Sequence, residues 1–241
     1  QQWNHAHDSL SYAAFDPATS TLLEVSTNGY RTYRLKSGPG PYINVPRIGD
    51  YLHYNKYPLG EGWIMVNSMG GLTSLLSGAQ IIRLDRDNIN RMNIQMKSFM
   101  RHDTLFTQGG YGFWSARSLV QYFNITTGQW QVHLPVNSES IPPGNLNHWA
   151  INLGDSVFTF GGHTLDPFDP HLHLPNTALW LYRLDERKWV QVGEINPALG
   201  IPDVGQITIR MGDKLLLYPV DKMTVIIDFR MGTVAFHEAS A

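Results

Sequence analysis

The chain has 241 residues, of which 42% are hydrophobic, 12% aromatic and only 16% charged. That balance excludes a disordered chain and supplies the aromatics that sheets use. A net charge of −2 with His neutral lacks the basic excess of a nucleic-acid binder, and zero cysteines exclude disulfides, thiolate metal sites and cysteine nucleophiles.

Taken in chain order, the sequence reads as five copies of a four-stranded antiparallel meander. In the first, residues 10–15 and 21–25 flank the turn Asp16-Pro17-Ala18-Thr19-Ser20. Asn28-Gly29 follows, then residues 30–35, a Gly38-Pro39-Gly40-Pro41 turn and a short run at 42–45. In another phase the turn at 16–20 joins a third strand to a fourth. The second copy runs from Ile48 to about Ile94. It carries Gly49-Asp50, a strand at 63–67, the doublet Gly70-Gly71, and Ile81-Ile82-Arg83-Leu84-Asp85 as its third strand. Ile89 takes the place held by tryptophan in other copies.

The third copy places residues 104–107 before Gly109-Gly110 and a third strand at 118–123, with Trp130 seven residues after Phe123. The fourth is the clearest. Runs at 150–153 and 157–160 flank Gly154-Asp155, Gly161-Gly162 ends the second run, and a strand at 179–184 precedes Trp189, seven residues after Tyr182. In the fifth, Gly212-Asp213 separates 206–210 from 215–218, Pro219 replaces the doublet, and strands at 224–229 and 233–236 complete the unit. Runs rich in Val, Ile, Phe, Tyr and Trp between Gly, Asn and Asp clusters are strand signals, and glycine pairs let the chain leave a strand through backbone conformations closed to other residues.

The recurring doublet, followed by an aromatic and a tryptophan at fixed spacing, resembles the kelch repeat. The resemblance implies an all-β fold, a five-bladed β-propeller with four-stranded antiparallel blades at about 8–46, 47–94, 95–135, 145–193 and 204–237, in one domain spanning 1–241. The repeat length of roughly 50 residues agrees; a sandwich is the rival architecture. Trp130 and Trp189 are expected to pack between blades. Arg34, Arg83 and Arg183 share one position, which points to ion pairs or turn contacts.

Function is expected on the loops after the glycine doublets. The loop at 111–117 holds Tyr111, Phe113, Trp114 and Arg117, aromatic faces for stacking and a cation for carboxylates. The longest loop, at 163–176, holds His163, Asp166, Asp169, His171 and His173. Histidine and carboxylate are metal-ligand types, which makes His171, His173 and Asp169 the weak metal candidates. Asp-Pro pairs at 166–167 and 169–170 equally suit a rigid turn. His5-Ala6-His7 repeats the spacing near the terminus. The apolar loop at 72–77 is either buried or a partner contact. Asn124-Ile125-Thr126 is a glycosylation sequon on an expected turn.

G-x-S-x-G, P-loop and G-x-G-x-x-G motifs are absent. The reading is therefore a non-catalytic binding propeller with no cofactor, which takes a protein partner or small ligand on its loop face. The alternative is an enzyme resembling the kelch sugar mutarotases or epimerases, with Arg117, His148, His163 and Asp166 as acid–base groups. An intracellular kelch adaptor is a third reading, weakened by the lack of a helical partner region. No run of about 18 apolar residues occurs, so no membrane span is expected. The first residue is Gln1 rather than Met, which motivates the expectation of an extracytoplasmic or periplasmic sensory domain of a larger bacterial signalling protein, with the cytoplasm as the alternative.

Overall fold

The computed structural model describes residues 12–86, 93–137, 140–169, 171–194, 207–211, 214–218, 223–228 and 233–238. They form an all-β structure of successive antiparallel sheets, and no α-helix occurs among them. The first sheet holds β1 (Tyr12–Asp16), β2 (Thr21–Val25), β3 (Gly29–Arg34) and two short pieces, β4 (Gly38–Pro39) and β5 (Ile43–Asn44). Both short pieces pair with β3, so this fourth strand is broken. Asp16 caps the β1–β2 turn by accepting the Ala18 N–H at 3.0 Å. The strand order places residues 16–20 at the first turn of the sheet rather than its last.

The second sheet holds β6 (Asn55–Leu59), β7 (Gly62–Val66), β8 (Thr73–Ser77) and β9 (Gln80–Arg83), in that order. Two sequence expectations fail here. Residues 72–77, read as a loop, supply the third strand, and residues 81–85, read as the third strand, supply the fourth. The reason is a two-residue turn at Gly78-Ala79 between paired Ser77 and Gln80, with Gly78 at φ 52°. Arg83 consequently does not share the position of Arg34 and Arg183, which end third strands. It pairs with buried Asp85 at 3.1 Å, whereas Arg183 pairs with Glu186 at 3.0 Å. Gly49-Asp50 lies in a 3₁₀ turn, Ile48–Tyr51, outside the sheet.

In the third and fourth sheets a hairpin is inserted after the second strand. The third runs through β10 (Lys97–Arg101) and β11 (Thr104–Gln108), then the hairpin β12 (Tyr111–Gly112) and β13 (Ser115–Ala116), then β14 (Val120–Asn124) and β15 (Gln129–Val132). The fourth runs through β16 (Trp149–Asn152) and β17 (Ser156–Phe160), the hairpin β18 (His163–Leu165) and β19 (His173–Pro175), then β20 (Ala178–Arg183) and β21 (Lys188–Glu194). The fifth sheet is β22 (Ile207–Met211), β23 (Lys214–Tyr218), β24 (Met223–Asp228) and β25 (Thr233–Glu238). The expectations at His5, His7, Ile89, Pro170, Gly212-Asp213 and Pro219 lie outside the described residues.

The chain forms two compact units, residues 1–92 with 123–130, and residues 93–122 with 131–241. In the first unit β1 lies beside β6, and Leu23, Val25, Ile48, Trp63, Met65 and Leu76 form the core. In the second β10 lies beside β16, and Phe99, Phe106, Val157, Tyr182 and Trp189 form the core. The second strands β7, β11 and β17 share one burial pattern. Their last four residues are all buried, so both of their faces are covered. A sheet with one wet face would alternate instead.

Candidate functional site

The glycine doublets start the site. Gly109 and Gly110 have φ of 67° and 97°, and Gly161 and Gly162 have 67° and 73°. A side chain there would also collide. A Cβ on Gly162 would stand 2.1 Å from the Leu146 carbonyl, and one on Gly110 would stand 2.5 Å from Asn93 Oδ1. The chain before each first strand makes these close approaches. Asn93 and Asn145, both buried, donate their side-chain amides to the carbonyls of Gly109 and Gly161. The next residues, Ile94 and Leu146, pair as isolated bridges with Tyr111 and His163. Gln95 and Asn147 then turn through positive φ of 61° and 51°. The segments Asn93-Ile94-Gln95-Met96 and Asn145-Leu146-Asn147-His148 are thus one repeated device. Sequence reading missed it, although the Asn-apolar-amide spacing was its signal.

This stitching fixes where the two hairpins sit. The Asn145 N–H donates to the Arg117 carbonyl at 3.1 Å, and the Gly110 N–H donates to the Asn145 carbonyl at 3.1 Å. Leu146 and His163 exchange backbone bonds at 2.8 and 2.9 Å. The linking strand therefore lies between the hairpins and holds them side by side, with β13 against β18.

The first hairpin turns at Phe113-Trp114, between paired Gly112 and Ser115. Phe113 has φ 51° and Trp114 φ 63°. Positive φ at both central residues marks a type I′ turn, which ordinarily uses Asn-Gly. Bulky side chains are strained there. Neither ring is buried in return, as Trp114 is 88% and Phe113 59% exposed. The Arg117 guanidinium stacks over Phe113 with its carbon 4.9 Å from the ring centre, and its Nε–H donates to the Gly112 carbonyl at 3.2 Å. Burial pushes the Arg117 pKa below its ordinary value. Tyr111 is half-buried on β12.

In the second hairpin both aspartates serve the turn. Asp166 Oδ1 accepts the N–H groups of Phe168 at 2.7 Å and Asp169 at 3.0 Å, and Asp169 Oδ1 accepts that of His171 at 3.0 Å. This turn raises Phe168 to 95% exposure. The structure brings together His163 and His173, whose ring centres are 6.0 Å apart across the hairpin. His171 precedes β19 and does not join them. Among the described residues no group of three His, Cys, Asp or Glu side chains is placed to hold a metal.

The four acid–base candidates have different tasks. Arg117 stacks on Phe113 and Asp166 binds turn amides, while His163 pairs with the linking strand. His148 is fully buried, its Nε2 bonded to Gln108 Oε1. Burial, with the Lys97 cation second, lowers its pKa to about 3, so the ring is neutral.

Fold and site together define an all-β protein of repeated four-stranded antiparallel sheets that presents two adjacent inserted hairpins. No protein-family model matches the chain, and no curated protein matches it. No helix among the described residues is long and apolar enough to cross a membrane.

Proposed function

We propose that the five sheets are blades of a kelch-like β-propeller, and that the protein is a non-catalytic module that binds a protein partner through the paired hairpins at 111–116 and 163–175. Four features support the propeller. Each sheet is a meander in chain order, with the next beginning where the last ends. First strands of successive sheets are neighbours, β1 with β6 and β10 with β16. Three second strands, β7, β11 and β17, are covered on both faces, as stacked blades require. The Trp130 indole N–H donates to the Gly71 carbonyl of the second sheet's doublet at 3.0 Å.

The strained, exposed Phe113-Trp114 turn carries the binding reading. Backbone strain persists where the surroundings fix it, and it clusters at functional sites. Here two large aromatics occupy a turn that favours Asn-Gly and gain no burial. Phe168, on the tip of the adjacent hairpin, is exposed as well; exposed apolar side chains of this kind mark interaction sites, and aromatics with arginine are the residues enriched at such interfaces. Projecting tips suit a protein surface better than a small molecule, which needs enclosure.

Photo-crosslinking tests this. A Trp114→p-benzoylphenylalanine variant in extract of the source organism should give a discrete adduct that unlabelled wild type suppresses and a Phe113→Ala/Trp114→Ala variant does not. The same probe at Phe15, itself 50% exposed on β1, should give no such adduct. Equal labelling from positions 15 and 114 would overturn the assignment.

A further inference from the structure

A cavity opens in the second compact unit. Thr104, Phe106, Tyr122, His133, Leu134 and Arg187 line an open cavity of about 470 Å³, within the size range of small-molecule sites. Its aromatic wall is ordered. His133 stands edge-on to Phe106 and Tyr122, at 88° to both, with centroids 5.8 and 6.0 Å away.

Proton bookkeeping fixes the state of His133. The Tyr182 hydroxyl donates its single proton to the His133 carbonyl at 3.0 Å. Its oxygen also lies 2.9 Å from His133 Nδ1, and both contacts are satisfied together when Nδ1 carries the ring hydrogen. Burial lowers the ring's pKa, the Arg187 and Arg101 cations lower it further, and Asp185 opposes them. The ring is thus neutral with its proton on Nδ1, leaving Nε2 as a bare acceptor. Among the described residues nothing donates to it.

Arg187 supplies the charge. The neighbouring carboxylate, Asp185, is taken by Arg101 at 2.7 Å, and among the described residues no side chain engages the Arg187 guanidinium. Its backbone is left-handed, φ 50°. Counting back from the paired tryptophans, Arg187 stands two residues before Trp189 where Gly128, φ 70°, stands two before Trp130. A turn position that suits glycine holds a cation at the cavity lip.

We propose that this cavity binds a small planar organic anion that also carries a hydroxyl or N–H group, of the hydroxyaryl carboxylate type. The ring would lie against Phe106 and Tyr122, the carboxylate would pair with Arg187, and the donor would reach His133 Nε2.

Calorimetric titration with 4-hydroxybenzoate tests this on the whole chain. Saturable binding is expected, weakened about tenfold or more when the charged pair is lost in Arg187→Gly. That variant relieves the left-handed backbone, so it should remain folded. Neutral 4-hydroxybenzamide and donor-less benzoate should both bind more weakly than the probe. The ¹⁵N resonance of His133 Nε2 should move on binding, and Phe113→Asn/Trp114→Gly should leave the affinity unchanged, which separates this site from the hairpins. No saturable binding up to roughly 10 mM, well beyond weak-ligand affinities, or equal binding by Arg187→Gly, would overturn the proposal.

Discussion

Trp130 donates its indole N–H to the carbonyl of Gly71 across 59 positions of sequence, at 3.0 Å. The doublet and the tryptophan, conspicuous separately in the sequence, are thus partners. Trp130 is 2% exposed and tilts against Phe123 with ring centres 5.3 Å apart. The Gly71 carbonyl also accepts the Thr73 hydroxyl at 3.0 Å, so it is not orphaned when the indole is lost. Trp130→Phe should therefore destabilise by only about 1 kcal/mol. Trp130→Ala adds a cavity and should cost about 3–5 kcal/mol. Urea denaturation of both variants checks the difference.

The glycines divide into two kinds. Gly154 has φ 94° with open space around its missing Cβ, whereas Gly162 has φ 73° with the Leu146 carbonyl 2.1 Å from that position. Gly154→Ala meets only backbone strain and should cost about 1–2 kcal/mol. Gly162→Ala must also push the linking strand away and should cost roughly 3 kcal/mol or more. Equal losses in thermal or urea unfolding would show that the linking strand yields freely.

Buried His148 makes stability depend on pH. Its folded pKa, about 3, lies below the unfolded value of 6.5. Between the two the unfolded chain holds a proton that the folded chain does not. Stability from this group is therefore complete above about pH 6.5 and falls as pH drops toward 3, by up to about 1.4 kcal/mol per pH unit for one proton. Stability measured at pH 7, 6 and 5 should fall more steeply for wild type than for His148→Gln, which keeps a hydrogen-bonding side chain against Gln108 but does not titrate.

Much of the meander is written locally. The turn at 16–20, the run before Gly161 and the Tyr182–Trp189 spacing are each decided by a few neighbouring residues, and the structure has strands where they point. The second sheet shows the limit. Ile81-Ile82-Arg83-Leu84-Asp85 resembles Leu181-Tyr182-Arg183-Leu184-Asp185 in letters, but the tight Gly78 turn has already used the third-strand position. The site divides the same way. Asp166 and Asp169 as turn residues, and the aromatic content of 111–117, are visible in composition. The left-handed backbone at Phe113 and Trp114 is not, because it comes from pairing between Gly112 and Ser115. The cavity at His133 is less visible still, since Thr104, Phe106, Tyr122 and Arg187 meet there only through tertiary packing.

The central claim is that Phe113 and Trp114 serve recognition at the expense of the fold, and the most direct measurement is the unfolding free energy of Phe113→Asn/Trp114→Gly against wild type. Asn-Gly suits the type I′ turn, so the account predicts a gain of about 1–2 kcal/mol in the isolated protein. A loss of stability would contradict it, by showing that the two aromatic rings hold the hairpin together.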